Sequence, residues 1–257
     1  IKTLFKNIES NKLESACNWI TECIISGYTL EIWNKLLLFS SKIININNPV
    51  LPVFLYKRNN DLFTYIQKYK KEDYLLFRND MIIRNLLFCI VSILCVSSKN
   101  KRYDKYPKIT KKELQLEIIE SHLEAKSNIL PPNFIKFNEP DELQIFINEL
   151  YFHIKNKIGG YEKSMYWIFL LLEWEKYNKK LGSWNIETRQ VYSLDSKYTC
   201  NIIWIIWELI LLESKIRDRI IQIQISSLFQ LFIHKYTPCK KNQRLCYLIH
   251  ALGYLTH

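Results

Sequence analysis

The fold is read outward from one stretch, Leu13-Glu14-Ser15-Ala16-Cys17-Asn18-Trp19-Ile20-Thr21-Glu22-Cys23-Ile24-Ile25-Ser26-Gly27. Leu13, Ala16, Cys17, Ile20 and Ile24 recur at the steps that bring side chains to one face of a helix. Gly27 closes it, because glycine accepts the left-handed backbone with which many helices end. The same period predicts further helices over residues 30–43 and over 49–65, the latter opened by a proline in its first turn. Residues 81–97 are apolar enough to form a helix buried on most sides. Pro140-Asp141-Glu142 starts another that runs to about Lys157, and 161–181, 200–213, 220–234 and 244–256 complete the set. No strand pairing is legible, with 43–47 and 220–225 the ambiguous runs. The fold class predicted is all-α.

Two halves carry features in the same order. Glu14 to Ile20 is echoed by Glu162-Lys163-Ser164-Met165-Tyr166-Trp167-Ile168, and Ile32-Trp33 with its following leucines by Ile206-Trp207. Residues 86–98, with cations after them, are echoed by 228–236 followed by Lys240, Lys241 and Arg244. Three ordered matches point to an internal duplication; the alternative is coincidence in an Ile-, Leu- and Lys-rich chain. The expected architecture is a helical bundle of two similar subdomains, 1–98 and 140–257, joined by a basic connector, 99–139.

Thirty-six Lys and Arg against 25 Asp and Glu leave a charge of +11, which makes polyanions natural partners, although codon bias and solubility produce the same excess. Seven cysteines, an odd number without a Cys-x-x-Cys pair, read as reduced core thiols of a cytosol-like compartment. The longest apolar runs, 86–96 and 202–212, fall short of the roughly 20 residues that span a bilayer, so no membrane helix is expected. No signal-peptide pattern is legible at the first residues.

The first hundred residues resemble the helical collar, or oligomerisation region, that follows the ATPase module in clamp-loader-related proteins of the replication-associated recombination protein A and Werner-helicase-interacting type. The resemblance is carried by Leu4-Phe5-Lys6-Asn7-Ile8, by Leu13 to Trp19 ending at Ile25-Ser26-Gly27, by Ile32-Trp33-Asn34-Lys35-Leu36-Leu37, by Asn48-Pro49 and by Val91-Ser92-Ile93-Leu94-Cys95. Ser41-Lys42 and Ile46-Asn47 stand where that family has an acidic dipeptide and a glycine. No Gly-x-x-x-x-Gly-Lys-Ser/Thr loop occurs, so the resemblance implies that ATPase function, where needed, comes from another protein.

Over most of its length the chain also resembles an uncharacterised helical family of large nucleocytoplasmic DNA viruses. The stretches concerned include Asn48-Pro49-Val50-Leu51-Pro52, Asp141-Glu142-Leu143-Gln144-Ile145, Ile203-Trp204-Ile205-Ile206-Trp207-Glu208 and Lys240-Lys241-Asn242-Gln243-Arg244. This implies a viral setting, in the factory or nucleus of an infected cell or in the virion.

Candidate chemistry is sparse. His234, Cys239, Cys246 and His250 have spacings near those of zinc ligands, with two core thiols and two surface imidazoles as the plainer reading. Glu149 and His153 lie one helical turn apart. No hydrolase, kinase or dinucleotide signature appears, and neither catalytic residues nor a cofactor are predicted. Trp19, Trp33, Trp167, Trp174, Trp204 and Trp207 are expected in cores and Trp184 in a loop, as an exposed anchor. Seven cations, Lys99, Lys101, Arg102, Lys105, Lys108, Lys111 and Lys112, interleave with Tyr103 and Tyr106 over 14 residues, a pattern suited to phosphate contact without base readout or simply to a solvated loop. Lys240, Lys241 and Arg244 form a second candidate patch, at the equivalent end of the other half. The function expected is a replication or genome-maintenance accessory that self-associates or holds protein partners and touches nucleic acid. The alternatives are a structural virion protein and a degenerate enzyme with a site near residues 234–250.

Overall fold

The computed structural model describes residues 1–100, 105–156 and 159–256. Within them lie twelve α-helices and no strand, so the chain is all-α. It divides into two compact units, Ile1–Tyr103 and Asp104–His257. The expected connector is therefore split: residues 105–139 pack into the second unit.

The first unit contains α1 (Lys2–Glu9), α2 (Leu13–Ile25), α3 (Thr29–Phe39), α4 (Leu51–Ile66), α5 (Tyr74–Asn79) and α6 (Met81–Val96). α1 buries only Leu4 and Ile8, against α2 and α6. α2 buries Ala16, Ile20, Cys23 and Ile24, the face that its sequence period marks. Gly27, at φ +82°, turns the chain, and the Arg78 guanidinium covers it while donating to the Ile25 carbonyl (3.0 Å), so a side chain at position 27 would strain the backbone and displace that cap. α3 inserts Trp33 fully into the core, where its Nε1 donates to Oδ1 of buried Asn59 on α4 (3.0 Å). The ambiguous run after α3 is a π-turn, Ser40–Ile44, followed by a 3-10 turn, Asn45–Asn47. Asn45 takes φ +50°, a conformation asparagine tolerates, and binds back to the Ser41 carbonyl.

α4 carries Pro52 in its first turn, and α4 and α6 are bridged at their ends. Asn48 donates to Ser97 Oγ (2.9 Å), and Tyr65 Oη to Asp80 Oδ2 (2.9 Å). Asp80 is also the N-cap of α6, accepting from the Ile82 and Ile83 amides (2.7 and 3.1 Å). Burial pushes its carboxyl up, but donation from Tyr69, the two amides and Tyr65 outweighs this and holds it below the usual range.

The second unit contains α7 (Leu116–Ser121), α8 (Asp141–Lys155), α9 (Gly160–Leu181), α10 (Ile202–Ser214), α11 (Arg219–Ile233) and α12 (Lys241–Thr256). The end expected for α8 near Lys157 falls outside the described residues. α12 is central: it touches α8, α9, α10 and α11 and is buried continuously from Arg244 to Gly253. α10 is apolar around its circumference and buries Trp204 and Trp207. Gly160 has no room for a side chain, since a Cβ there would overlap the His153 carbonyl oxygen.

Long loops are pinned by buried polar groups. Arg189 grips Glu139 with two parallel hydrogen bonds (2.7 and 2.8 Å) and reaches Glu208 with Nε (2.8 Å). Glu139 also accepts the Lys136 and Glu187 amides, so its buried charge is fully partnered. Glu175 accepts Lys179, Lys241 and the Ile202 amide at the start of α10.

The tryptophans divide. Trp33, Trp167, Trp174, Trp204 and Trp207 are buried, but Trp19 is 41% exposed. Trp184 is no exposed anchor: it is half-buried, packs edge-on against Trp174 and donates Nε1 to the Cys200 carbonyl (3.0 Å).

Candidate nucleic-acid interface

The basic segment begins with a ring contact. Tyr106 stacks on Phe169 of α9 with centroids 4.8 Å apart, which holds the segment against the helix and turns the tyrosine away from any base-stacking role. After Pro107, a 3-10 turn at Lys111–Leu114 opens with a capping box. The Thr110 amide and hydroxyl both donate to Glu113 Oε2 (2.7 and 2.8 Å), and they hold that carboxyl below its ordinary range. α7 follows, with Ile119 buried and His122 stacked on Tyr166 (5.2 Å). Lys105, Lys108, Lys111 and Lys112 are thereby presented from an anchored backbone with their side chains exposed.

The other expected cations are placed differently. Lys101 and Arg102 lie outside the described residues, as does Tyr103. Lys99 is half-buried and donates to Asn11 Oδ1 (2.6 Å) and to the Cys95 and Ser97 carbonyls (2.7 Å each), closing the C-terminal end of α6. Burial pulls its ammonium below the usual lysine range. Arg244 is 8% exposed and donates to the Phe232 carbonyl (2.5 Å), joining α12 to α11; burial lowers its pKa as well. Lys241 is paired with buried Glu175 (2.9 Å). Lys240, in the turn before α12, is exposed. Of the second patch it alone is presented to solvent, so the two basic corners imagined from the duplication are unequal.

The remaining chemical candidates are structural in their surroundings. His250 is 1% exposed and His234 half-buried, so neither is the surface imidazole expected, and burial beside Lys235, Arg244 and Lys240 pushes His234 down to about 4. Among the described residues no group of three or more His, Cys, Asp or Glu is gathered to hold a metal ion. Glu149 and His153 do meet, Oε2 to Nε2 at 3.4 Å, both almost fully buried. Glu149 also accepts the Glu124 and Ala125 amides (3.2 and 2.8 Å), and neighbouring Asn148 accepts the Ile129 amide (2.8 Å). Asn148 and Glu149 thus fasten the loop at 123–130 onto α8, a task the Glu149–His153 spacing did not reveal, because the loop amides lie 19 to 25 residues away.

No family model, curated protein or solved structure matches the chain. Among the described residues no helix is long and apolar enough to cross a membrane.

Proposed function

We propose that this chain is a non-enzymatic accessory of viral DNA replication or genome maintenance, whose helical units hold protein partners while one lysine-rich edge contacts nucleic-acid backbone. The observation that carries the nucleic-acid part is the exposure of Lys105, Lys108, Lys111 and Lys112 from a backbone anchored by Tyr106 and by the Thr110–Glu113 cap. Anchored ammonium groups engage phosphates with less ordering cost than a loose loop, and without base-edge donors arranged beside them they read charge rather than sequence. The viral setting rests on the sequence resemblance, and free cysteines throughout, two of them exposed, accord with a reducing compartment.

The test is fluorescence anisotropy of labelled duplex and single-stranded DNA across a salt series. Up to four phosphate contacts give a slope of log K against log salt of about −3 to −4 on duplex. Reversing the four lysines to Glu is expected to abolish binding, and Lys240→Glu to weaken it slightly. Absence of binding at low salt, or binding indifferent to the fourfold reversal, overturns the reading.

A further inference from the structure

Two half-buried rings of α9, Tyr166 and Phe169, stand about one helical turn apart, and each carries a ring from residues 105–122. Tyr106 stacks on Phe169 with centroids 4.8 Å apart and planes 24° apart, and His122 stacks on Tyr166 at 5.2 Å and 19°. The two stacks are alike in geometry and differ in what lies above them. Tyr106 is half-buried, whereas His122 is exposed. With one face on Tyr166, an exposed imidazole turns its other face to solvent.

That ring is fixed in place. Its Nδ1 donates to the Ile118 carbonyl (2.7 Å), an oxygen that can only accept, so Nδ1 bears the proton and the tilt of the imidazole is set. Tyr166 beneath it is braced edge-on by buried Trp167 (5.7 Å). A ring backed on one face, held by a hydrogen bond and open on the other face needs little further ordering when something stacks on it. Histidine is among the side chains on which unpaired nucleic-acid bases stack.

The ring belongs to the lysine edge. The turn at Lys111–Leu114 touches both α7 and α9, and its Glu113 carboxyl, held down chiefly by Thr110, also feels the His122 imidazole. Charge along the segment is segregated: residues 105–112 hold four lysines and no acid, residues 113–122 three glutamates and no lysine. Glu113 is engaged by Thr110. At roughly 100° per residue, Glu117 and Glu120 fall more than a third of a turn round α7 from His122, away from the side on which the ring lies. A duplex makes only half use of such a surface, since its phosphates reach the lysines but its bases are already stacked and must be unpaired to reach a ring. A single strand offers phosphates and a free base together.

We infer that His122, backed by Tyr166, is a base-stacking platform and that the nucleic acid held at the lysine edge is single-stranded, with one unpaired base on the imidazole and flanking phosphates on Lys111 and Lys112. The inference rests on the nucleic-acid part of the proposed function and deepens it, naming the form of nucleic acid. Every base has a π-face, so no sequence preference accompanies the contact.

The test uses the full chain at one salt concentration with three fluorescein-labelled probes of 12 nucleotides per strand: oligothymidine, a duplex, and a strand of abasic sites. Oligothymidine is expected to bind severalfold more tightly than either of the others. His122→Ala is expected to weaken oligothymidine roughly tenfold and to leave the duplex and the abasic strand within about twofold, and His122→Phe to restore oligothymidine binding. Position 122 is exposed, and circular dichroism melts verify that both variants fold. In proton NMR the His122 Hε1 resonance, assigned by its loss in His122→Phe, is expected to move upfield with oligothymidine, through the ring current of the base, and to stay in place with the abasic strand. The inference is overturned by a duplex or abasic strand bound as tightly as oligothymidine, by unchanged affinity of His122→Ala, by failure of His122→Phe to restore binding, or by an unmoved resonance. Reversal of the four lysines separates the two readings. If it abolishes binding of every probe while His122→Ala alters none, the charge reading stands and the stacking reading falls; if native chain binds no probe, or the reversal alters none, the charge reading has failed and this one with it.

Discussion

The two units treat their central helices in opposite ways. α6 touches α1, α2, α3 and the short α5, and α12 touches α8, α9 and α10. The fourth long helix makes the difference: α11 lies on α12, while α4 is held off α6 and leaves a groove. An enclosed helix needs polar fasteners for the loops around it, and the second unit supplies them in Glu139–Arg189, Glu149 and Glu175. A half-covered helix keeps apolar surface for something else.

This contrast can be broken at several points. The largest effect is expected from Arg189→Ala, which strands Glu139 as an unpaired buried charge and frees both loops it joins; about 3–5 kcal/mol of stability is lost, seen as a lowered unfolding midpoint in urea. Replacing Glu139 and Arg189 together by apolar residues recovers much of it. In the first unit, Trp33→Phe leaves buried Asn59 without its partner and loosens α4, at a cost of about 1–3 kcal/mol, with hydrogen exchange rising first along α4. Lys99→Met removes the donor to the Cys95 carbonyl of α6 and to that of its C-cap, Ser97, and costs about 1 kcal/mol while leaving DNA affinity unchanged. Charge reversal at Lys108 is expected to do the opposite, sparing stability and weakening DNA binding.

The gentlest contrast is with acid. All five histidines lie beyond residue 104. His153 is held below its ordinary pKa by burial, against the opposing pull of Glu124 and Glu149 and with Lys163 adding to the lowering; His234 is pushed down to about 4. For such groups the unfolded chain takes up protons first, so stability is full above about pH 6.5 and declines as pH falls towards 4. Hydrogen exchange at pH 7 and 5 is expected to show this decline in the second unit and not in the first, and His234→Asn to flatten it.

The helices were legible because burying one face imposes a period of 3.6 on apolar residues, and nearly every predicted segment lies within a residue or two of its helix. The segment expected over 30–43 ends as an α-helix at Phe39 and continues as the π-turn Ser40–Ile44. What each face meets was not legible. Trp19 and Trp167 occupy equivalent places in the clearest echo, yet Trp167 is buried beside Phe146 while Trp19 is left 41% exposed. Residues 81–97 read as a helix buried on most sides, because hydropathy records what a residue prefers and not whether a neighbour arrives to cover it.

The lysines make the same point. Lys99 and Lys108 look alike in a run of cations; one closes a helix end against Asn11, 88 residues away in sequence, and the other faces water. Composition, charge and the helical fold class were determined by local pattern and so by the sequence itself. Which cations are free, which tryptophans are covered and where a bundle stands open depend on contacts between residues far apart in the chain, and only the tertiary structure decided them.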